Sequence, residues 1–383
     1  MIYAALLVID LEQLNRYRRQ FPALADKTYL NFGGHGPLSQ TTLAAIQNAY
    51  AFEQRQGPFS ATVNTWIQEN LLQLRTHLAQ MLHTTWDRIC LTENTTAGMN
   101  IPLWGLDWQP GDQILLSDAE HPGVIAILQV LAKRMGVEPV TLPLMNNPDP
   151  VTTLEEAITP RSRMLLISHV FWNTGRIQPL KALTEVCHTH DLLIHVDAAQ
   201  SAGVLPLDLP ALGVDFYAFT GHKWLCGPAG TGVLYMSERG QSRLLPTFVG
   251  WRALGHEDAA AFEVATSAWA LLVGLRAALQ DHEQLGSIEE RYQRQVSLAL
   301  SLWSQIQDLP GLQCLRSDPP DTGLVSFTLD HYTPAQLEST LAQEQILIRS
   351  LPHPPSVRAS IHYLSCETEV ETLVQSLARL SKR

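Results

Sequence analysis

The chain has 383 residues, 45% of them hydrophobic and 16% charged, which is enough apolar chain for a large buried core and more than one domain. Its 37 acidic residues outnumber the 26 basic ones, for a net charge of −11. That balance argues against nucleic acid, whose binding rests on phosphate neutralisation, and against an anionic membrane face; a local basic pocket for a small anion stays open.

The opening residues Met1 to Ile9 are apolar but lack a basic flank and a small-residue cleavage site, so they read as a strand or packed arm rather than a signal peptide. Between residues 85 and 240, short apolar runs alternate with amphipathic stretches. Ile89–Leu91, Gln113–Leu116, Met164–Ile167, Leu192–Val196, Phe216–Phe219 and Val233–Met236 are the predicted strands. Helices are predicted after Thr95, Pro122 and Leu180. Continuous apolar strands spaced by helices imply a mostly parallel sheet covered on both faces, an α/β three-layer domain. A long helical region over Ser267–Trp303 follows, then a strand at Leu324–Thr328, a helix at Thr333–Gln343, strands at Ile346–Arg349 and Val357–His362, and a last helix from Glu367. This second pattern predicts a smaller α+β domain. The expected division is an arm over 1–25 packing with the small domain, a large domain over 26–258, and a connecting helix with small domain over 259–383. No run of the chain reaches the length of a membrane helix. The five cysteines, Cys90, Cys187, Cys226, Cys314 and Cys366, are scattered and form no C-x-x-C, which suits reduced thiols in a cytoplasmic protein.

Three strand ends carry residues suited to chemistry. The first is Thr220-Gly221-His222-Lys223, where a hydrophobic strand runs into a lysine among small residues. Ligands of open α/β sheets sit beyond the carboxyl ends of strands, and a partly buried lysine there has a lowered pKa and a nucleophilic amine. The second is His195-Val196-Asp197-Ala198-Ala199-Gln200. Asp197 fits equally a helix N-cap or the partner of a buried cation. The third is Thr92-Glu93-Asn94-Thr95-Thr96, small and hydroxyl residues that open a helix. Ordinary capping and a phosphate site at a helix N-terminus both fit it. Cys187, His188, His190 and His195 match no metal-ligand spacing, and no metal is expected. The glycine-rich stretches at Asn31–Gly36 and Gly227–Gly232 fit neither G-x-G-x-x-G nor a Walker pattern.

Taken together, the Asp-x-x-Gln and Gly-His-Lys elements resemble the class-V aminotransferase family of fold-type I pyridoxal-phosphate (PLP) enzymes, and the likeness runs from Tyr29-Leu30-Asn31 to the last helix. Among its members the chain is most similar to the cyanobacterial type of cystine/cysteine C–S lyase, a relative of the cysteine desulfurases. The resemblance implies PLP as cofactor, with Lys223 as the Schiff-base lysine, Asp197 as partner of the pyridine nitrogen, and Gln200 as donor to the ring hydroxyl. It implies His121, in Ala119-Glu120-His121-Pro122, as the imidazole stacked on the ring. Thr95, Thr96, Thr220 and His222 would form the phosphate cup. Thr266 would reach the phosphate from a neighbouring subunit, which implies a homodimer, although Ala265 stands where the family usually has Gly. Arg358 would grip the substrate α-carboxylate, a role that suits a bidentate guanidinium.

Two departures qualify the match. Desulfurases carry a nucleophilic cysteine shortly before this arginine, and Leu315–Ser365 contains none. Trp172 stands where the family often has Asn, so that Asn173 becomes the candidate for that cofactor contact. The implied activity is therefore β-elimination on cystine or cysteine to pyruvate, ammonia and a persulfide or sulfide, with an iron–sulfur apoprotein as a possible sulfur acceptor. A desulfurase, a selenocysteine lyase-like or epimerase-like enzyme, and a non-catalytic binding protein of the same fold are the competing readings.

Overall fold

In the computed structural model, which describes residues 10–255, 257–264 and 267–382, a seven-stranded sheet forms the centre of the large domain. Its order is Ile89–Thr92, Gly232–Met236, Phe216–Thr220, Leu193–Asp197, Ser162–Ser168, Gln113–Ser117 and Glu138–Leu142. Gly232–Met236 runs antiparallel to both its neighbours; the other strands point one way. Along each inner strand alternate side chains enter two different cores. Leu165, Ile167, Ile194, Val196, Tyr217 and Phe219 pack with Leu74 and Leu78 of helix Ala61–Met81 and Leu180 and Leu183 of helix Leu180–Thr189. Met164, Leu166, Leu193, Phe216 and Ala218 pack on the other face with Met99 and Leu103 of helix Thr95–Gly105 and Leu128 and Leu131 of helix Pro122–Met135. Burial on both faces is why these strands read as continuous apolar runs. The expected three-layer α/β/α domain is present.

The small domain is a four-stranded antiparallel sheet, ordered Arg349–Pro352, Pro355–Ser360, Leu324–Leu329 and Leu312–Cys314. Leu298, Leu302, Phe327, Leu337, Leu373 and Leu377 fill its core, beneath helices Ile288–Ile306, Pro334–Gln343 and Glu367–Leu380. The short strand Thr28–Tyr29 pairs in parallel with Ile346–Leu347, and Arg18 forms an ion pair with Glu369 at 2.8 Å. The start of the described chain is thus fastened to the small domain. The expected arm at Met1–Ile9 and the Thr266 assignment both lie outside the described residues.

Three local expectations change. The helical region over Ser267–Trp303 is two helices, Trp269–Glu283 and Ile288–Ile306. Gly286, at φ +91°, turns the chain between them, and Ser287 restarts it with a capping box to Glu290. The strand expected at Ile346–Arg349 divides, and its second part, Arg349–Pro352, forms a hairpin with Pro355–Ser360 around the proline-rich turn. The edge strand Glu138–Leu142 went unread because its residues are mostly exposed and give no apolar run.

Helix Thr95–Gly105 meets the sheet closely where Gly232 faces Asn94. A Cβ on Gly232 would lie 2.6 Å from Asn94 Cα and 2.7 Å from its nitrogen. We expect Gly232→Ala to lower unfolding free energy by about 1–3 kcal/mol, as overpacking does. Denaturant titration measures this, and an unchanged midpoint contradicts so tight an approach.

Candidate active site

The strand Phe216–Thr220 delivers Lys223 to a cavity of about 420 Å³ at the strand tips, whose wall includes Thr95, Thr96, His121, Asp197, Gln200, Thr220, His222, Lys223 and Arg349. Sequence segments far apart therefore converge as expected. The loop is tightly held: the Gly36 amide donates to His222 O at 2.7 Å. A Cβ at Gly36 would stand 2.1 Å from Lys223 O, so only glycine fits there. Burial pushes the Lys223 amine down to about 8; the Asp197 charge opposes that shift, and Arg358 and Arg349 add to it. That raises the neutral, nucleophilic share of the amine at pH 7 to about a tenth, far above that of an ordinary lysine.

Asp197 ends the strand beside this one, with its Cα opposite Ala218. Its buried carboxylate accepts from the Ala199 amide at 2.9 Å, a local Asx-type bond. Turns rather than a helix follow, so the N-cap reading fails, and the carboxylate remains on the cavity wall. Gln200 bridges two segments: its amide nitrogen donates to Gly33 O at 2.9 Å and its oxygen accepts from Trp224 Nε1 at 2.8 Å. One amide hydrogen is left over for a ligand.

At the other end of the cavity, Asn94 caps helix Thr95–Gly105 by accepting from the Ala97 amide at 2.9 Å. Thr95 and Thr96 lie in its first turn, and Thr95 Oγ1 is buried without a hydrogen-bond partner. Thr220 Oγ1 lies 2.6 Å from His222 Nδ1. Burial, with the Lys223 charge and His35, pulls His222 down to about 4, so its imidazole is neutral. Open amides at a helix end, hydroxyls and a nearby lysine suit a phosphate.

His121 precedes Pro122 as the N-cap of helix Pro122–Met135. Its Nδ1 accepts from the Gly123 amide at 3.1 Å, which leaves the proton of the neutral ring on Nε2. Partial burial and then the Lys223 charge hold its pKa below the usual imidazole value. Its ring meets Trp172 edge-on at 5.5 Å. Trp172, not Asn173, stands on the cavity wall. The Asn173 amide nitrogen donates to Met145 Sδ at 3.4 Å and His353 O at 3.3 Å, while its Oδ1 is buried without a hydrogen-bond partner among the described residues.

Arg358 is 1% exposed, with Nε donating to Ser360 Oγ at 3.1 Å and Nη1 to Trp172 O. No carboxylate pairs with it among the described residues. Burial, and then Arg349, pull its pKa down to about 9. A buried guanidinium without a counter-charge is unstable unless an anion completes it. Arg349 sits opposite Arg358 in the hairpin and faces the cavity. The sequence reading missed Arg349; the signal was its place across the proline turn from Arg358. It also missed Glu120, a buried carboxyl behind His121. Glu120 accepts from Ser168 N at 3.0 Å, from Ser168 Oγ at 2.6 Å and from Ser117 Oγ at 2.5 Å.

The donor set fits a pyridoxal phosphate: an amine for the aldehyde, a carboxylate for the ring nitrogen, an imidazole at the ring and a helix end with an unpartnered threonine for the phosphate. The family model for class-V aminotransferases matches residues 28–373. A probable cysteine desulfurase of Xylella fastidiosa (strain 9a5c) is 30% identical, covering 96% of this chain and 95% of its own. The cystine C–S lyase C-DES, solved with its reaction product cysteine persulfide, is 42% identical with a TM-score of 0.91 over 94% of this chain and 99% of its own. A lysine-to-alanine mutant of C-DES, with glycine covalently linked to the PLP cofactor, gives a TM-score of 0.90 at 42% identity over 94% and 98%.

Burial raises the Glu120 pKa from its usual 4.5 to about 7. Between those values the unfolded chain has lost a proton that the folded protein keeps, so stability falls as pH rises through the window. Glu120→Gln should flatten that fall. Thermal melts between pH 4.5 and 7 measure it; an equal slope in the variant contradicts the assignment.

Proposed function

The chain belongs to the class-V aminotransferase family of PLP-dependent enzymes, and from that premise we propose that it is a carbon–sulfur lyase. It eliminates the sulfur substituent from Cβ of cystine, and water then completes the reaction to pyruvate, ammonia and cysteine persulfide. The observation that carries this reading is the pair of cations above one lysine. Arg349 lines the cavity; Arg358, buried without a counter-charge, lies just behind that wall, donating to the O of the wall residue Trp172 and pairing across the hairpin with Arg349; and cystine brings two α-carboxylates.

Bound PLP supplies an electron sink conjugated to the substrate Cα. Lys223 is the residue that would hold it, and its neutral Nζ is the base that would take the substrate Cα proton. Asp197 would pair with the ring nitrogen and favour its protonated form. Arg358 fixes one carboxylate and so the direction of the Cα–H bond; Arg349 takes the second. Thr95, Thr96, Thr220 and His222 would hold the phosphate, Gln200 would donate to the ring hydroxyl, and His121 would stack on the ring.

A persulfide leaves more readily than a thiolate, so no enzyme thiol is required to capture sulfur. None of the five cysteines stands on the cavity wall. Burial holds the Cys314 thiol up at about 11 and raises that of Cys226 as well, away from the thiolate form a nucleophile needs. The persulfide product is itself a sulfur donor, which suits an iron–sulfur apoprotein as acceptor.

A homodimer is part of this reading. Leu245, Phe248, Val249, Trp251, Leu254 and Val264 are all exposed within one stretch of twenty residues, a run of apolar side chains suited to burial against a second copy. Thr266 follows that stretch, in line with its assigned reach into a partner's site. No described helix is long and apolar enough to cross a membrane. Free thiols at all five cysteines favour the cytoplasm.

Cystine turnover should yield pyruvate; alanine as the main product would instead mean desulfuration. Arg358→Ala should lower kcat/KM for cystine by about 10²-fold, the scale of a lost charge-assisted contact, with cofactor content unchanged. Arg349→Ala should abolish the preference for cystine over the cysteine–cysteamine mixed disulfide, which lacks the second carboxylate. Retained preference removes Arg349 from substrate recognition.

A further inference from the structure

The peptide groups that follow Lys223 are tied down from two remote parts of the chain. His362 Nε2 lies 3.1 Å from Trp224 O, and His282 Nε2 lies 2.8 Å from Leu225 O. A carbonyl only accepts, so each Nε2 carries a proton. The opposite nitrogens are acceptors: the Leu364 amide donates to His362 Nδ1 at 3.3 Å, and the Tyr363 hydroxyl donates to His282 Nδ1. Both rings are therefore neutral and in the same tautomer. Burial keeps them so, holding His282 at about 3 and His362 well below its usual value.

Their placement is also fixed by packing. The His362 ring stacks on Phe32 at 4.5 Å and 13°, with Trp224 at 6.1 Å on a near-parallel plane. Arg291, Asp281 and Tyr363 are the charged and titratable groups around the pair, and Arg291 Nη1 donates to the His282 carbonyl. Neither histidine is on the active-site wall, and the elimination uses neither. Two buried imidazoles satisfied at every nitrogen are an elaborate way to fill a core that leucine would fill.

We propose that His282 and His362 are positioning residues for Lys223, holding the carbonyls of the two residues after it. His362 lies four residues beyond Arg358 on the same segment. It thereby links the small-domain strand that binds the substrate carboxylate to the loop that carries the reacting amine. This rests on the reading of Lys223 as the cofactor lysine.

The test is a pH titration of the visible absorption of the lysine-linked cofactor in the holoenzyme, a readout independent of turnover. His362→Gln keeps an N–H donor close to the position of Nε2; His362→Phe keeps the ring and removes the donor. The Phe variant should move the titration midpoint by roughly half a pH unit or more, and the Gln variant should stay with the wild type. His282→Phe and His282→Gln repeat the comparison at a second position, should one Phe variant fail to fold. A folded Phe variant with an unmoved midpoint, or Gln and Phe variants that move together, overturns the proposal. A wild-type holoenzyme without the absorption band overturns the cofactor reading instead.

Discussion

The rest of the site depends on a lysine amine buried beside a carboxylate at the tips of two neighbouring strands. An ammonium at Lys223 would be stabilised by Asp197, yet burial and two arginines outweigh that pull and bring its pKa down to about 8. The Asp197 carboxylate, bonded to the Ala199 amide, keeps acceptor capacity toward the cavity, which a protonated ring nitrogen would satisfy.

The sheet sets this geometry by adjacency. Asp197 and Lys223 follow neighbouring parallel strands, so their backbones leave the sheet side by side. The helix that opens at Asn94 crosses the same tips, which places its amides at the far end of the cavity. The proposed substrate arginines belong to the small domain's sheet. Its hairpin presents Arg358 and Arg349 as cross-strand neighbours, and the Trp172 carbonyl of the large domain orients Arg358. In the proposed reading, the cofactor residues and the substrate arginines thus come from two different sheets.

Much of the cofactor end was legible because each part is a contiguous stretch at a strand end. The strand pattern and local chemistry marked Lys223, Asp197, Thr95 and Thr220 as candidates, and the family resemblance supplied their roles. Long-range residues were harder. Glu120 reveals its place only through Ser168, 48 positions away in sequence. His282 and His362 read as isolated histidines until the fold brings them under the lysine loop. Neighbouring residues on one turn part ways: Trp172 lines the cavity, whereas the Asn173 amide nitrogen donates to Met145 and His353. Asp197 lost its helix-capping alternative because its Asx bond closes a turn and no helix follows. The long helix divided at Gly286, where a positive φ outweighs the apolar periodicity on either side.

The most direct test of the account is chemical. Borohydride reduction of the PLP-bound enzyme, followed by proteolysis and mass spectrometry of the labelled peptide, locates the covalent link. The account predicts a single pyridoxyl group on the Lys223 nitrogen, with no labelling in Lys223→Ala. Labelling at another lysine, or a protein that takes up no cofactor, contradicts it.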